Sequence, residues 1–238
     1  MGESARPSFL SLGNLYLFDN HSCAGDALSF GMASRRLPAG DSGLIQIVDA
    51  ALADAALRSG DWLACCPGCT QCCVGVFAIN QLDVARLQRG LAGLERTDAG
   101  RARRIRLRAR GSVQRLAASF PGNLKTGVLA AEVFEEGSEA EERFAELGND
   151  EVCPVLDPET GLCELYESRP MTCRTFGPPV RAEGGLGVCE LCFKDATDEE
   201  IGACEMVADP DDLEVGLLRQ VEQTTGPRGW TTVAFAVK

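Results

Sequence analysis

A run of nine residues from Cys65 to Cys73, Cys-Cys-Pro-Gly-Cys-Thr-Gln-Cys-Cys, constrains this chain most, because it holds five cysteines. With Cys65 set aside, the other four follow the pattern C-x2-C-x2-C-C. A two-residue gap lets the backbone turn back so that successive sulfurs converge, and Pro67 and Gly68 favour such a turn. Zinc and iron–sulfur clusters select thiolate ligands. The run therefore predicts a metal site that uses Cys66, Cys69, Cys72 and Cys73.

Two other interpretations of this run are weaker. Cysteines of an apolar core are normally scattered along the chain rather than clustered. A disulfide framework requires an oxidising compartment, and bonds between neighbours this dense would be strained or mispaired. Metal or cluster ligation is therefore favoured.

The composition excludes several classes of protein and site. The chain has 23 basic and 35 acidic residues, a formal charge of −12, so a general role in binding nucleic acid is not expected. No run of about 18 apolar residues is present, so no transmembrane helix is expected. The N-terminus has no convincing signal peptide, which predicts a cytoplasmic protein with reduced or metal-bound cysteines. Twelve cysteines stand against one histidine, His21, so a metal site here is essentially all thiolate.

The pattern of apolar residues predicts a mainly α fold with short β segments, in which helices pack around an irregular, metal-centred core of loops. Residues 1–40 lack periodicity and are predicted to form an irregular or disordered leader, with Met32 as an alternative start and Cys23 as a lone thiol. Residues 41–238 are predicted to form a single cysteine-cluster domain, with a charged helical insert at about 95–150.

Individual elements can also be predicted. Helices are expected at 42–58, after the capping residue Asn80, at 98–120, within 135–150, after a Thr197–Glu200 capping box and from Asp209-Pro210. Short strands are expected at 74–79 and at 230–237, with irregular packing as the alternative at 230–237. Eight arginines between Arg96 and Arg115 face nine acidic residues between Glu132 and Glu151, and the two segments are expected to pair or to neutralise locally.

A second cysteine region begins at Cys153. The turn signal Asp157-Pro-Glu-Thr-Gly161 predicts a hairpin-like reversal that brings the sulfurs of Cys153 and Cys163 together. Cys173, Cys189 and Cys192 follow, while Cys204 shares a face with Ile201, Val207 and Ala208 and is interpreted as a core thiol. Arg169 and Arg174 either offset the charge of a thiolate-bound centre or form surface pairs with Glu164 or Glu167.

The order of these residues resembles a known family. It is carried by Cys66-x2-Cys69-x2-Cys72-Cys73, Cys153-Pro154, Cys163-Glu164-Leu165-Tyr166-x2-Arg169-Pro170-x2-Cys173-Arg174 and Cys189. The pattern resembles the cysteine-cluster proteins of the YkgJ type, a zinc- or iron-chelating domain whose members are often described as iron–sulfur oxidoreductases; a flagellin lysine N-methylase is similar through the same cluster. The resemblance implies metal binding by the eight cysteines, with Tyr166, Arg169 and Arg174 beside them. The extra Cys65 and Cys192 depart from the pattern, and Cys192 is a candidate additional ligand.

Eight thiolates exceed what one four-ligand centre needs, and two arrangements stay open. In one, Cys66, Cys69, Cys72 and Cys153 hold a four-iron cluster while Cys73, Cys163, Cys173 and Cys189 bind a second centre, such as zinc. In the other, two tetrahedral zinc sites tie the halves of the chain together. The triple run favours an iron–sulfur cluster, 4Fe-4S, in at least one centre, because zinc modules more often use paired C-x2-C segments.

Two functions are compatible with these sites. The first is a metal-binding protein with a redox or protein-modification-related role, an iron–sulfur oxidoreductase that works with a protein or redox partner. The second is a non-enzymatic zinc module, in which the metal holds the loops and the charged insert binds another protein. A methyltransferase is disfavoured, because no glycine-rich nucleotide loop follows a clear strand.

Overall fold

The computed structural model describes residues 37–182, 185–225 and 228–238, so His21, Cys23, Met32 and most of the predicted leader lie outside the described residues. Within those ranges the chain is mainly helical with short strands, and the predicted fold class is confirmed. The helices are α1 (Asp41–Ser59), α2 (Gln81–Thr97), α3 (Ala99–Leu116), α4 (Glu139–Ala145), α5 (Met171–Arg174), α6 (Asp198–Ala203), α7 (Leu213–Thr225) and α8 (Val233–Val237).

The strands form three two-stranded antiparallel pairs in the described ranges. They are β1 (Ala78–Ile79) with β6 (Thr231–Thr232), β2 (Gly122–Asn123) with β3 (Val128–Leu129), and β4 (Val180–Ala182) with β5 (Gly185–Gly187). Each pair is too short to bury a face of its own, so helix packing provides the core.

The predicted helices at 42–58 and after Asn80 are confirmed. The Asn80 side chain accepts hydrogen bonds from the backbone N–H groups of Leu82 and Asp83, both at 3.0 Å, and so caps α2. The apolar stripe of α2 is buried, as its spacing predicts, and packs with residues of α3 and α8; its most buried members are Val84, Leu87 and Leu91. No helix in the described ranges has the length and apolar character needed to cross a bilayer.

The prediction of a strand at 230–237 is wrong for most of its length. Only Thr231 and Thr232 pair, with Ile79 and Ala78, and the chain then turns into α8. All five residues of α8 are buried, between α2 and α3. A short apolar run buried on every side carries no period that separates helix from strand.

Two predictions near the C-terminus are corrected. The last helix begins at Leu213 rather than at Asp209-Pro210, because the Asp209 carboxylate accepts the N–H groups of Leu213 and Glu214, at 3.0 and 2.8 Å. Cys204 is buried as predicted, but Val207 is 59% exposed, since α6 ends at Ala203.

The arginine run of α3 pairs only partly with the acidic segment 132–151. Arg115 forms a bidentate pair with Glu151, with N–O distances of 3.0 and 2.6 Å. Arg106 instead pairs with Glu95 on α2. Other arginines of α3 reach the second cysteine region, which matters for the metal centre.

Candidate metal centre

The two cysteine regions meet through backbone hydrogen bonds. The N–H of Cys153 donates to the carbonyl oxygen of Cys73 over 2.8 Å, and Val74 and Val152 form an antiparallel bridge next to this bond. The N–H of Gly75 donates to the carbonyl of Glu151 over 2.9 Å. Segments about 80 residues apart in the sequence are thereby joined at their cysteines.

The predicted reversal between Cys153 and Cys163 is present. The N–H of Asp157 donates to the carbonyl of Leu162, and the N–H of Gly161 donates to the carbonyl of Asp157, both at 2.9 Å. Gly161 has a φ of +70°, a conformation that favours glycine. The hairpin places Cys163 close enough to Cys153 that its thiol, after burial, contributes to raising the pKa of Cys153.

Helix α5 brings in Cys173. The Asp83 carboxylate accepts the N–H of Met171, the first residue of α5, over 2.8 Å. Asp83 also pairs with Arg86 at 2.8 Å, and Arg86 pairs with Asp41 at 2.7 Å. Because these three charged side chains are nearly fully buried, they hold the start of α5 firmly against α2.

Five half-buried thiols form what we call the first thiol group, and their members affect one another's ionisation: Cys72, Cys73, Cys153, Cys163 and Cys173. Five of the eight predicted ligands therefore come together, from three separate stretches of the chain.

The pKa values in the first thiol group show the cost of ionising crowded sulfurs. A hydrogen bond from Cys73 lowers the pKa of Cys72 to about 7, and the same bond, followed by burial, raises the pKa of Cys73. Burial, followed by neighbouring thiols, raises the pKa of Cys153 to about 12 and that of Cys173 well above its ordinary value. Burial also raises the pKa of Cys163, to about 11. Only a nearby cation would let these thiols ionise together.

Arg169 supplies positive charge to this group, and Arg174 follows Cys173 in the sequence. The Arg169 guanidinium lies 3.7 Å from the centroid of the Tyr166 ring and donates to the Tyr166 carbonyl over 2.8 Å. Its charge contributes to lowering the pKa of Cys72, after the hydrogen bond from Cys73. Arg174 is 2% exposed and pairs with Asp49 at 3.0 Å, while its Nε, also buried, has no hydrogen-bond partner among the described residues.

Arginines of helix α3 bind the cysteine hairpin, and the sequence did not predict this contact. Arg101 pairs with Glu164 at 2.9 Å, and Arg108 pairs with the other oxygen of the same carboxylate. Arg108 also donates its Nε–H to the carbonyl of Pro154 over 2.8 Å. Glu164 is therefore not the surface partner of Arg169 or Arg174 that one interpretation expected. The sequence offered one signal of this role, which is the position of Glu164 directly after Cys163 in the motif.

The remaining cysteines divide into two sets. Cys65, Cys189, Cys192 and Cys204 pack in one apolar cluster, which we call the second thiol group. The hydrogen bond with Cys192 and burial raise the pKa of Cys189, and Cys72 of the first thiol group adds to this effect. Cys66 is exposed and Cys69 is half-buried, on a loop closed by a hydrogen bond from the Cys69 N–H to the Cys66 carbonyl. In the described part of the chain neither thiol donates a hydrogen bond to another cysteine. The loop that carries them lies beside the cysteine hairpin, because a Cβ built on Gly161 would be 3.9 Å from Gly68. Ligation by Cys66 and Cys69 stays a prediction.

The donor set fits zinc or iron. All donors are sulfur, which suits these metals and not magnesium or calcium, which take oxygen ligands. Among the residues that the structure describes, no three cysteine, histidine, aspartate or glutamate side chains already stand at the mutual positions that a bound ion requires. A cysteine side chain changes the position of its sulfur by rotating χ1 between staggered positions.

Comparison with known proteins agrees with this donor set. Residues 64–205, more than half of the chain, match the model of the CxxCxxCC family, described as "Putative zinc- or iron-chelating domain". The matched range contains every cysteine of both thiol groups. No curated protein and no solved structure matches the chain.

Proposed function

The chain belongs to the CxxCxxCC family of zinc- or iron-chelating domains, and from that premise we propose that it is a cytoplasmic redox protein whose first thiol group holds an iron–sulfur cluster. Such a cluster supplies one-electron transfer when it is bound. The observation that carries the proposal is the gathering of five thiols from three chain segments beside a cationic side chain, Arg169.

The charge of this surrounding supports redox use over a purely structural metal. Four thiolates around a cluster leave it with a net negative charge, which grows when the cluster is reduced. Arg169 and Arg174 lie close enough to influence each other's charge, and burial, followed by the charge of Arg169, lowers the pKa of Arg174. The charge of Arg169 acts on Cys72 and favours the more negative, reduced state of a cluster, because burial weakens screening by water.

The surface near the thiols supports contact with a protein partner. Three exposed apolar residues, between 45% and 50% accessible, each adjoin a cysteine of the first thiol group in the sequence: Val74, Val152 and Leu162. Electron transfer needs the two centres to approach closely, and an apolar rim around one centre favours docking. We propose a redox protein as the partner at this surface.

The competing function is a zinc module without redox chemistry. It has support from the second thiol group, whose Cys189-x2-Cys192 pair is typical of zinc-binding turns. In that case both thiol groups would hold zinc. The metal would stabilise the loops, and the protein would bind another protein without redox chemistry.

Anaerobic purification of the full chain, followed by absorbance, iron and sulfide analysis, separates these functions. The redox proposal predicts a brown protein, with absorbance near roughly 400 nm that bleaches on reduction with dithionite. The zinc module predicts a colourless protein that retains zinc, and this result would overturn the proposed redox function.

Substitutions test whether the absorbance arises from the first thiol group and whether Arg169 affects the reduction potential. Cys163→Ser should remove the absorbance, because it removes a sulfur of the first thiol group. Arg169→Gln should keep the cluster but make its reduction potential more negative, while Arg169→Lys, which keeps the charge, should restore much of the difference. An unchanged potential in Arg169→Gln would contradict the role of this cation.

A further inference from the structure

We propose that the second thiol group, Cys65, Cys189, Cys192 and Cys204, forms a tetrahedral zinc site separate from the first thiol group. Cys65 and Cys192 are additions to the cysteine pattern of the family, and Cys204 lies outside that pattern. The inference does not depend on which metal the first group binds.

The spacing of one pair of sulfurs fits zinc. Cys65 Sγ lies 4.0 Å from Cys192 Sγ. Four sulfurs placed about 2.3 Å from a zinc ion at tetrahedral angles are about 3.8 Å from one another, whereas a disulfide joins sulfurs at about 2.05 Å. The observed separation is thus close to an edge of a zinc–sulfur tetrahedron and about twice the length of a disulfide.

The C-x2-C pair has the form of a metal-binding turn. The N–H of Cys192 donates to the carbonyl of Cys189 over 2.8 Å, which closes the turn, and the two thiols are hydrogen bonded to each other. Phe193, the next residue, has a φ of +53°, a left-handed conformation that is strained for a non-glycine residue. Its N–H donates to the carbonyl of Trp62 over 2.9 Å, so the strained residue connects this turn to the segment that carries Cys65.

The surroundings exclude water and fix the fourth sulfur. Cys189, Cys192 and Cys204 are each at most 7% exposed, and the rings of Trp62 and Phe193 stack at 6.4 Å beside them. The Arg58 guanidinium donates to the carbonyls of Ala203 and Glu205, at 2.6 and 3.0 Å, which flank Cys204. These two bonds hold Cys204 against α1, in the same apolar cluster as the other three sulfurs.

The test measures zinc and iron per chain in the full-length protein and two sets of variants. Cys65→Ser/Cys192→Ser, and separately Cys204→Ser, should each lose one zinc per chain while the colour and metal of the first group persist. Cys163→Ser should lose the colour and metal of the first group and keep the zinc of the second group. Cobalt loaded in place of zinc should give the ligand-field bands of a tetrahedral thiolate site in the wild type and in Cys163→Ser only.

The wild type alone gives an independent test in case a variant does not fold. Alkylation mapped by mass spectrometry should find the four cysteines of the second thiol group protected until a zinc chelator is added. The inference is overturned if Cys65→Ser/Cys192→Ser keeps the full zinc content, or if the anaerobic wild type contains a Cys65–Cys192 disulfide. A different result would separate the two proposals. If the first thiol group of the wild type carries no metal while the variants of the second group lose zinc, the proposed function is overturned and this inference stands.

Discussion

The Nε–H of Arg108 on α3 donates to the carbonyl oxygen of Pro154, 2.8 Å away and directly after Cys153. Through its pair with Glu164, the same guanidinium also holds the residue that follows Cys163. One side chain thus fixes both arms of the cysteine hairpin. Positions that orient ligands in this way typically change metal affinity by about 10- to 100-fold when they are mutated.

We therefore expect Arg108→Ala to weaken metal binding by the first thiol group by about 10- to 100-fold, as measured by competition with a chelator. Arg110→Ala is the matched control, because Arg110 is an exposed arginine on the same helix and has no ion pair among the described residues. Equal affinities in the two variants would show that Arg108 does not position the hairpin.

The sequence was sufficient to predict the parts of this site that depend on local spacing. The turn at Asp157–Gly161 brought Cys153 and Cys163 together because Pro and Gly determine a reversal without help from the rest of the chain. The caps at Asn80 and Thr197 were predicted for the same reason.

What the sequence could not predict depends on tertiary packing. Cys204 was correctly interpreted as buried, but the apolar period of its segment says nothing about which other residues share its cluster, and these are Cys65, Cys189 and Cys192. The arginines of α3 carried a charge pattern compatible with several carboxylates, and only the packing of α3 against the hairpin selects Glu164.

The buried charges around Arg86 predict a large stability difference. Asp83→Ala removes a carboxylate that is 2% exposed and leaves Arg86 and the N–H of Met171 without it, so we expect a loss of about 3–5 kcal/mol in the free energy of unfolding. Glu95→Ala breaks the exposed pair with Arg106 and should cost at most about 1 kcal/mol. Denaturant titration measures both values, and similar losses would contradict the role assigned to this buried cluster.

The pKa of Glu214 gives a pH dependence with a definite sign. Burial, followed by the charge of Asp83, raises the pKa of this carboxyl to about 7. The folded protein therefore binds the proton more tightly than the unfolded chain does. This contribution to stability is fully present below about pH 4, the unfolded pKa, and is lost as the pH rises to about 7.

Unfolding of the wild type and of Glu214→Gln between pH 4 and 8 tests this prediction. The stability of the wild type relative to the variant should fall with rising pH, by at most about 1.4 kcal/mol per pH unit. Taking the difference between the two proteins cancels the contribution of the thiols. A difference that is constant with pH, or that grows as the pH rises, would contradict the assignment.

Alanine substitutions at two glycines distinguish the effect of backbone strain from the effect of a side chain that crowds the second thiol group. Gly177 and Gly185 have φ values of +131° and +122°, so alanine should cost each site about 1–3 kcal/mol. A Cβ at Gly177 would lie 2.9 Å from Cys65 Sγ, whereas one at Gly185 would have no neighbour within 4 Å. We expect only Gly177→Ala to weaken zinc binding, as measured by competition with a chromophoric chelator. Equal zinc affinities in both variants would show that Cys65 is not a ligand at this position.

The most direct test of the central claim is the metal content of Cys73→Ser and Cys153→Ser, purified anaerobically beside the wild type. The backbones of Cys73 and Cys153 are joined by the hydrogen bond between the Cys153 N–H and the Cys73 carbonyl. If the two segments share one centre, each variant should lose the same metal, with the same loss of absorbance. A wild type free of both iron and zinc, or a Cys153→Ser variant that keeps all its metal, would contradict the account.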